Sequence, residues 1–277
     1  QMFFCGKRYS QIDDKPNKIF FEKPIISPPT KFHIDPTSLS SISNDRYQTV
    51  YITKNGQSYV RGDNSSGIIS GSLPEKTFYE DNEYVLKDEG GHPYKFISVV
   101  CGGCYTLYLV SNESTFSNLK LVYCYANRKP NPLFLNIGNR IPRAIFGGNE
   151  TSGVIDNEGG IIIISNLIFS SPTQKIEATF LPNGDKAVKL AFCNDFVISL
   201  GHSGKVYLSK ISDPKFSEVK ELSGKKAIDV AGTLDHCFVV LNNGRVFGRG
   251  NNTSHELGLP ENATSKSAFT EIISLSK

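Results

Sequence analysis

The strongest candidate for chemistry in this sequence is Cys101-Gly-Gly-Cys104, because two cysteines at this spacing can bind zinc or form a redox dithiol. Structural zinc needs four ligands, and the chain has no second Cys-x-x-Cys pair. A redox dithiol is typically activated at a helix N-terminus, whereas this segment lies in a strand-like pattern. We therefore predict buried, small apolar cysteines, with zinc binding and redox chemistry as the alternatives. The remaining cysteines stand alone in the sequence: Cys5, Cys124, Cys193 and Cys237.

Histidine is the other residue type that could carry chemistry near neutral pH. We predict that His236 is a hydrogen-bonded structural residue, with a catalytic or metal-binding role as the alternative. Asp45 and Asp235 are expected to cap turns. No Gly-x-Ser-x-Gly elbow and no phosphate-binding Gly-x-x-x-x-Gly-Lys-Ser/Thr segment occurs, so we assign no catalytic, cofactor-binding or metal-binding residue and predict a protein that is not an enzyme. The other histidines are scattered over predicted loops: His33, His92, His202 and His255.

The elements that position these residues follow a repeat of about 40 to 65 residues, a period typical of propellers and solenoids. The last copy has an apolar strand over residues 227–241, then Asn243-Gly244, and then a second strand over 245–250. Asn-Gly is a strong signal for a two-residue hairpin turn. An earlier copy has a strand over residues 42–52 followed by Asn55-Gly56. Both copies continue into a polar loop that ends in Leu-Pro.

Weaker copies fill the rest of the chain. Three of them lie between the two clear copies, at residues 97–125, 144–164 and 188–208. A half copy opens the chain at residues 2–12, and residues 270–275 match the first strand of a further copy. No helical periodicity is sustained, so we predict an all-β chain of strands and loops.

Two connecting segments are predicted as loops. Residues 16–38 contain five prolines and should cross the surface irregularly, and residues 80–91 form an acidic second loop. The glycines at 147, 148, 159 and 160 are interpreted as bends and turns.

The repeat resembles a known family. Residues 99–106, 230–236 and 248–258 follow the order Val-Ala-Cys-Gly, His-Thr, apolar run, Asn-Gly, aromatic-Gly, Asn-rich loop and Gln-Leu-Gly of the regulator of chromosome condensation repeat. The resemblance covers nearly the whole chain, although no single copy carries the full pattern. It implies a seven-bladed β-propeller in which each blade is a four-stranded antiparallel sheet.

The number of copies departs from that family. The chain holds about five of the seven blades that the resemblance implies, and it starts and ends within a blade. A propeller that lacked blades would expose sheet edges, and repeat arrays need complete ends. We therefore expect one β-propeller domain over residues 1–277 that belongs to a longer protein, with a divergent propeller closed in another way as the alternative.

Charge and composition narrow the choice of partners. The net charge is only +3, and no lysine or arginine run exceeds two residues, which argues against nucleic-acid binding through a strong basic patch. No apolar run approaches the roughly 18 residues that a membrane span needs. Cysteines in strand positions indicate a reducing compartment. We expect a cytoplasmic protein, with the nucleus as the alternative. The Asn-x-Ser/Thr sequons are then chance occurrences, at Asn64, Asn112, Asn149, Asn251, Asn252 and Asn262.

The resemblance and the absence of catalytic motifs together predict a non-catalytic platform or adaptor that binds protein partners through its loops. The resemblance implies two partner classes, a small GTPase and ubiquitin-ligase components. The alternative function is guanine nucleotide exchange on a small GTPase through one propeller face, as the founding member of the family does with a wedge. The only wedge candidate is the insertion at residues 111–121, and the sequence assigns no interaction residue and no cofactor.

Overall fold

The computed structural model describes residues 3–4, 30–31, 35–45, 48–62, 64, 69, 79–112, 118–125, 132–164, 177–259 and 265–275. The chain divides into two compact units, Gln1–Leu39 and Ser40–Lys277. In the first unit, β1 (Phe3–Phe4) pairs antiparallel with β2 (Thr30–Lys31). The only helical segments among the described residues are short 3-10 turns, and none of the described helices is long and apolar enough to cross a membrane.

Five sheets follow one another along the rest of the chain, and in each of them consecutive strands are neighbours. Sheet 1 contains β3 (Leu39–Asn44), β4 (Gln48–Thr53), β5 (Ser58–Gly62) and β6 (Tyr79–Tyr84). Sheet 2 contains β7 (Lys95–Gly102), β8 (Tyr105–Ser111), β9 (Leu119–Tyr125) and β10 (Leu133–Leu135), and sheet 3 contains β11 (Pro142–Gly147), β12 (Ser152–Asp156) and β13 (Ile161–Ile164). Sheet 4 contains β14 (Ala187–Phe192), β15 (Phe196–Gly201), β16 (Val206–Lys210) and β17 (Ser217–Glu218), and sheet 5 contains β18 (Ala227–Gly232), β19 (His236–Leu241), β20 (Val246–Asn251) and β21 (Ser265–Glu271). In sheet 3 an isolated bridge from Thr179 to Ile161 occupies the place of a fourth strand.

The predicted first strand of each repeat is wrong in one respect, because it is a hairpin of two strands. Residues 42–52 span β3 and β4, and residues 227–241 span β18 and β19. In the copy that contains β7 and β8 the two halves are both apolar and are joined by the short turn Gly103-Cys104, so hydrophobicity alone does not show the reversal. The Asn-Gly turns that the sequence indicated join the second and third strands, at residues 54–57 and 242–245.

Three other predictions meet the structure differently. Residues 80–84 are not part of a loop, because they belong to β6 and pair with β5. Residues 270–271 do not begin another copy: Thr270 lies opposite Gly248 in the fourth strand of sheet 5. Most of the predicted crossing at residues 16–38 lies outside the described residues, apart from Thr30–Lys31 and the Pro36–Ser38 turn that Asp35 caps.

The core of the second unit consists of four apolar clusters, each between two consecutive sheets. Strand β8 shows how one strand supplies two of them. Tyr108 and Val110 pack toward sheet 1, whereas Leu107 and Leu109 pack toward sheet 3. Side chains of a strand alternate between its faces, so a strand buried on both faces contains an unbroken apolar run. This explains the continuous hydrophobic segments of the sequence.

The turns of sheets 1 to 5 emerge at two opposite ends of the strands. We call the end with the turns between first and second strands the first-turn face, and the loops between third and fourth strands emerge there too. The second-turn face holds the turns between second and third strands and the connections from one sheet to the next. Adjacent turns touch on the first-turn face, where Gly103 N–H donates to Asn149 O and Asn194 N–H donates to Leu234 O.

Candidate interaction surface

The two cysteines of the Cys-x-x-Cys segment have different environments. Cys101 ends β7 and is buried, whereas Cys104 lies exposed in the turn that follows. Burial raises the pKa of the Cys101 thiol to about 12, which suppresses the thiolate that redox chemistry needs. The prediction of a buried apolar cysteine is confirmed for Cys101 and wrong for Cys104, because the turn points away from the core. The part of the chain that the structure describes contains no group of three or more potential metal ligands.

His236 makes the contacts expected of a structural residue. Thr233 Oγ1 lies 3.1 Å from its Nε2, and the ring packs edge-on against Phe238 at 5.5 Å between centroids. Glu256 lies within electrostatic range of both His236 and His255. His92 and His202 lie on segments of the second-turn face, His255 lies on the first-turn face, and His33 lies outside the described residues.

Asp235 connects two neighbouring turns on the first-turn face, because its carboxylate accepts a hydrogen bond from Asn194 Nδ2 at 3.2 Å. Two sequon asparagines are buried in equivalent loops. Asn64 Oδ1 accepts the Ile69 N–H and Asn252 Oδ1 accepts the Leu257 N–H, each at 2.9 Å. A buried side chain cannot carry a glycan, so both residues hold the loop after the third strand. The equal spacing of the two pairs was the signal that the sequence offered for this role.

A repeated hydrogen bond joins consecutive sheets at the second-turn face. Gly159 sits in the turn between β12 and β13 with φ of 86°, and its carbonyl accepts the N–H of Ala187, the first residue of sheet 4. The same bond joins sheets 1 and 2, from Phe96 to Gly56, and sheets 4 and 5, from Ala227 to Gly204. Positive φ favours glycine at these turns. This is the physical reason for the Asn-Gly and Gly-Gly signals in the sequence.

The residue before each donor is a lysine at all three of these junctions. Lys95, Lys186 and Lys226 lie against the glycine of the preceding turn, and a Cβ on that glycine would come within 2.6 to 3.0 Å of the lysine stem. All three lysines are exposed. The glycine thus lets the aliphatic stem lie flat on the turn while the ammonium stays in water.

Two residues after each lysine position, the first strand contains a β-bulge whose extra residue points outward. That residue is 40% exposed at Val188 and 57% exposed at Ile228, and the equivalent Ile97 is half-buried. In sheet 3 the cation and the aliphatic side chain exchange places: Ile141 is at the lysine position and Arg143 is at the bulge. In sheets 3, 4 and 5 the lysine position and the bulge together therefore bring one cation and one exposed aliphatic side chain to the second-turn face, whereas Ile97 of sheet 2 packs against the apolar cluster between sheets 2 and 3.

Charge is segregated between the two faces. The described turns and connections of the second-turn face contain nine lysines and arginines against five acidic residues. Three of the cations are held in ion pairs, Arg140 with Asp156, Lys205 with Glu218 and Arg245 with Glu271. The described segments of the first-turn face contain one lysine and seven acidic residues, which are Asp45, Glu150, Glu177, Asp195, Asp213, Asp235 and Glu256. Within the described residues, a small net charge thus divides into one basic face and one acidic face.

Solved structures of other proteins share the fold of this chain. No protein family and no curated protein matches the sequence. Human WBSCR16 is 13% identical with a TM-score of 0.69 over 96% of this chain, and Prp20p from Saccharomyces cerevisiae is 14% identical with a TM-score of 0.66 over 90%. Yeast RCC1 (Prp20) bound to Kap60 is 13% identical with a TM-score of 0.59 over 82% of this chain. The fold is that of a regulator of chromosome condensation propeller.

The matching region spans 74%, 68% and 59% of those three chains, in the same order. At this level of identity the comparison establishes the fold, and the five sheets account for the five predicted blades. The prediction of a single domain over residues 1–277 remains a prediction beside the two compact units.

One junction of the propeller departs from the repeated pattern. Between sheets 2 and 3 the donor position is occupied by Pro142, which has no N–H. The preceding turn is also different, because it runs over residues 112–118, whereas its counterparts, such as residues 157–160, have four residues. The predicted insertion at residues 111–121 is therefore a β8–β9 hairpin with a longer turn, and residues 113–117 of its tip lie outside the described residues.

Sequence reasoning missed the surface itself. The chain has no long basic run, because successive cations of the second-turn face come from different sheets, about 40 residues apart in sequence. The available signal was the recurrence of lysine just before the first strand of a blade. Recognising it requires the register of the repeat, which the hairpins within the predicted first strands obscured.

Proposed function

We propose that this propeller is a non-catalytic interaction platform, or adaptor, that binds a protein partner through one of its faces. The observation that carries the proposal is the mixture of cations and exposed aliphatic side chains on the second-turn face. Val85, Ile141, Phe180, Val188 and Ile228 are all at least 40% exposed and all lie on it. Apolar side chains beside charged groups on rigid sheets are typical of protein interfaces, in which an apolar centre is surrounded by a polar rim.

Other propellers of this fold support a binding role. One structure shows Kap60 bound to yeast RCC1 (Prp20), and Prp20p from Saccharomyces cerevisiae is described with binding properties to Gsp1p and histones. We propose protein partners for this chain on the same grounds, with a small GTPase and ubiquitin-ligase components as the two classes to test. The cytoplasm remains the predicted compartment, with the nucleus as the alternative.

The test is affinity capture from lysate followed by reconstitution. The folded chain serves as bait, captured proteins are identified by mass spectrometry, and each is purified and titrated against the chain by calorimetry. We expect a saturable one-to-one complex that does not form with the heat-denatured chain. Failure of every purified candidate to bind, or turnover of a captured small molecule by the chain, would contradict a non-catalytic platform.

Guanine nucleotide exchange is the second candidate function, and the β8–β9 hairpin is the observation that favours it. This hairpin is the longest of its kind among the described sheets, and the inter-sheet bond that fixes its counterparts is missing beside it. A longer hairpin without that bond could act as a wedge. The test is release of a fluorescent guanine nucleotide from any captured GTPase. Acceleration by the chain, lost when residues 112–118 are replaced by Asn-Asn-Gly-Arg, would support exchange over an adaptor role.

A further inference from the structure

The second-turn face presents a repeated pair of chemical groups rather than a random scatter of charge. In sheets 4 and 5 the pairs are Lys186 with Val188 and Lys226 with Ile228, and each pair is separated by one residue of the first strand. The hydrogen bond to the preceding glycine carbonyl fixes the backbone between the two side chains. In sheets 4 and 5 the pair therefore recurs on a backbone that is held in place at the junction with the preceding sheet.

The lysines of these pairs are available for a partner. Among the described residues no ion pair involves Lys95, Lys186 or Lys226, and Glu218 and Glu271 of sheets 4 and 5 are bound by other cations. Asp185, beside Lys186, accepts hydrogen bonds from Ser203 and Tyr207, and Glu218 binds Lys205. A carboxylate of a partner would thus meet cations that have no counter-ion in the protein. Such cations speed the association of an acidic partner and fix its alignment on the surface.

The groups beside the lysines distinguish a protein partner from a nucleic acid. Binding of single-stranded nucleic acid uses aromatic side chains on which bases stack. Here the exposed groups next to Lys186 and Lys226 are aliphatic, and Phe180, which is 48% exposed, already has one ring face occupied by Arg140, whose guanidinium carbon lies 5.1 Å from the ring centroid. Aliphatic side chains instead offer contact to Leu, Ile or Val of a protein.

We propose that the second-turn face is the docking surface for an acidic protein segment whose carboxylates alternate with apolar side chains. The carboxylates pair with Lys95, Lys186 and Lys226, and the apolar side chains contact Val188 and Ile228. This inference rests on the proposed interaction function and adds to it the face and the partner chemistry. It also explains why sheets 3, 4 and 5 each keep one cation and one exposed aliphatic residue there, including the exchanged pair Ile141 and Arg143.

The experiment measures fluorescence anisotropy of three labelled probes of equal length: a peptide of alternating glutamate and leucine, polyglutamate, and oligothymidylate. We expect the glutamate–leucine peptide to bind most tightly. The triple variant K95E/K186E/K226E should weaken that binding by about tenfold or more, because three exposed ion pairs become repulsive. The matched control E150K/D195K/D235K changes the same number of charges on the first-turn face and should not weaken it.

Two further variants keep the test independent of folding and specific to the proposal. K95Q/K186Q/K226Q removes the charges without repulsion and should weaken binding by a smaller factor, with the melting temperature of each variant measured in parallel. V188S/I228S should reduce the preference for the glutamate–leucine peptide over polyglutamate. Tighter binding of oligothymidylate, or binding that none of the lysine variants changes, would overturn the proposal. If a partner captured from lysate binds equally well to the lysine variants, the platform function stands and this assignment of the face fails.

Discussion

Different hydrogen bonds join sheets 3 and 4 and join sheets 2 and 3. At the first junction, Gly159 O accepts the Ala187 N–H at the second-turn face. At the second, Pro142 offers no donor, and the main polar contacts lie at the opposite end of the strands. There the Tyr105 hydroxyl is 2.9 Å from Gly148 O and 3.0 Å from Thr151 O, and Gly103 N–H donates to Asn149 O.

The difference shows how a turn can be lengthened in a propeller without separating its sheets. A four-residue turn is held by the glycine carbonyl that binds the next sheet, so inserting residues there would break the bond. Sheet 2 has the longer turn at residues 112–118 and is followed by Pro142, which has no bond to lose. The buried hydroxyl of Tyr105 supplies the missing connection elsewhere. Desolvation raises the pKa of that hydroxyl above its ordinary value, so it remains a hydrogen-bond donor.

The largest loss of stability should come from a side chain placed between the turn glycine and the lysine that packs on it at a regular junction. In Gly159→Ala, the added Cβ would lie 2.6 Å from Lys186 Cβ and 2.9 Å from its Cα, at a φ of 86° that side chains rarely adopt. We expect a loss of about 2–4 kcal/mol in the free energy of unfolding, from left-handed strain together with overpacking. Urea unfolding followed by circular dichroism measures it.

Gly138 provides the matched control at the irregular junction. Its φ is 69°, but a Cβ there would have no neighbour within 4 Å. Gly138→Ala should therefore cost only the strain, about 1–2 kcal/mol. Equal losses for the two variants would show that close packing of the lysine on the turn contributes nothing, and the comparison between the junctions would break down.

The next effect in size tests the irregular junction directly. Tyr105→Phe removes the hydroxyl, which takes this donor from the part-buried Gly148 carbonyl and one of two donors from Thr151 O, and should cost about 1–3 kcal/mol. Tyr59→Phe is the control, since the contact of Tyr59 is ring stacking on Tyr51 at 5.8 Å, which phenylalanine preserves. A Tyr105→Phe variant as stable as Tyr59→Phe would mean that the hydroxyl contributes nothing to holding sheets 2 and 3 together.

The sequence was sufficient to predict the five sheets, because apolar runs recur in a fixed order, with Asn-Gly turns in sheets 1 and 5. It was not sufficient to place every strand. The turn at Gly103-Cys104 connects two strands that are both apolar, so no change in hydrophobicity marks it. Tyr79–Tyr84 is a strand despite three acidic side chains, because its place is set by pairing with β5 rather than by its own composition.

The candidate surface could be predicted even less well. Lys186 and Lys226 are ordinary residues in the sequence, and only the packing of sheets brings them to one face. The turn glycines were correctly interpreted, but the reason for them was not available, because it includes the lysine stem from the next sheet. Catalytic motifs are local in sequence, whereas this surface is built from one or two residues of each sheet.

The smallest expected effect is a dependence of stability on pH, which should be present at the regular junction and absent at the irregular one. Partial burial alone would raise the pKa of Asp185, but hydrogen bonds from Ser203, Tyr207 and Lys186 hold it below its ordinary value. A depressed pKa in the folded protein stabilises it above the unfolded value near 4, and this contribution is lost as the pH falls through the folded value. Asp185 belongs to the connection that enters sheet 4 at the regular junction.

Asp185→Asn should therefore lower the melting temperature at pH 6, and the difference from the wild type should shrink below about pH 4. Other carboxylates titrate in both proteins, so the difference between the two curves isolates Asp185. Tyr105→Phe should instead give a curve parallel to the wild type, because the acceptors of the Tyr105 hydroxyl are carbonyl groups that do not titrate. If the melting temperatures of the wild type and Asp185→Asn changed with pH in parallel, the Asp185 carboxyl would contribute equally to stability in both protonation states. Lowering the pH would then not distinguish the regular junction from the irregular one.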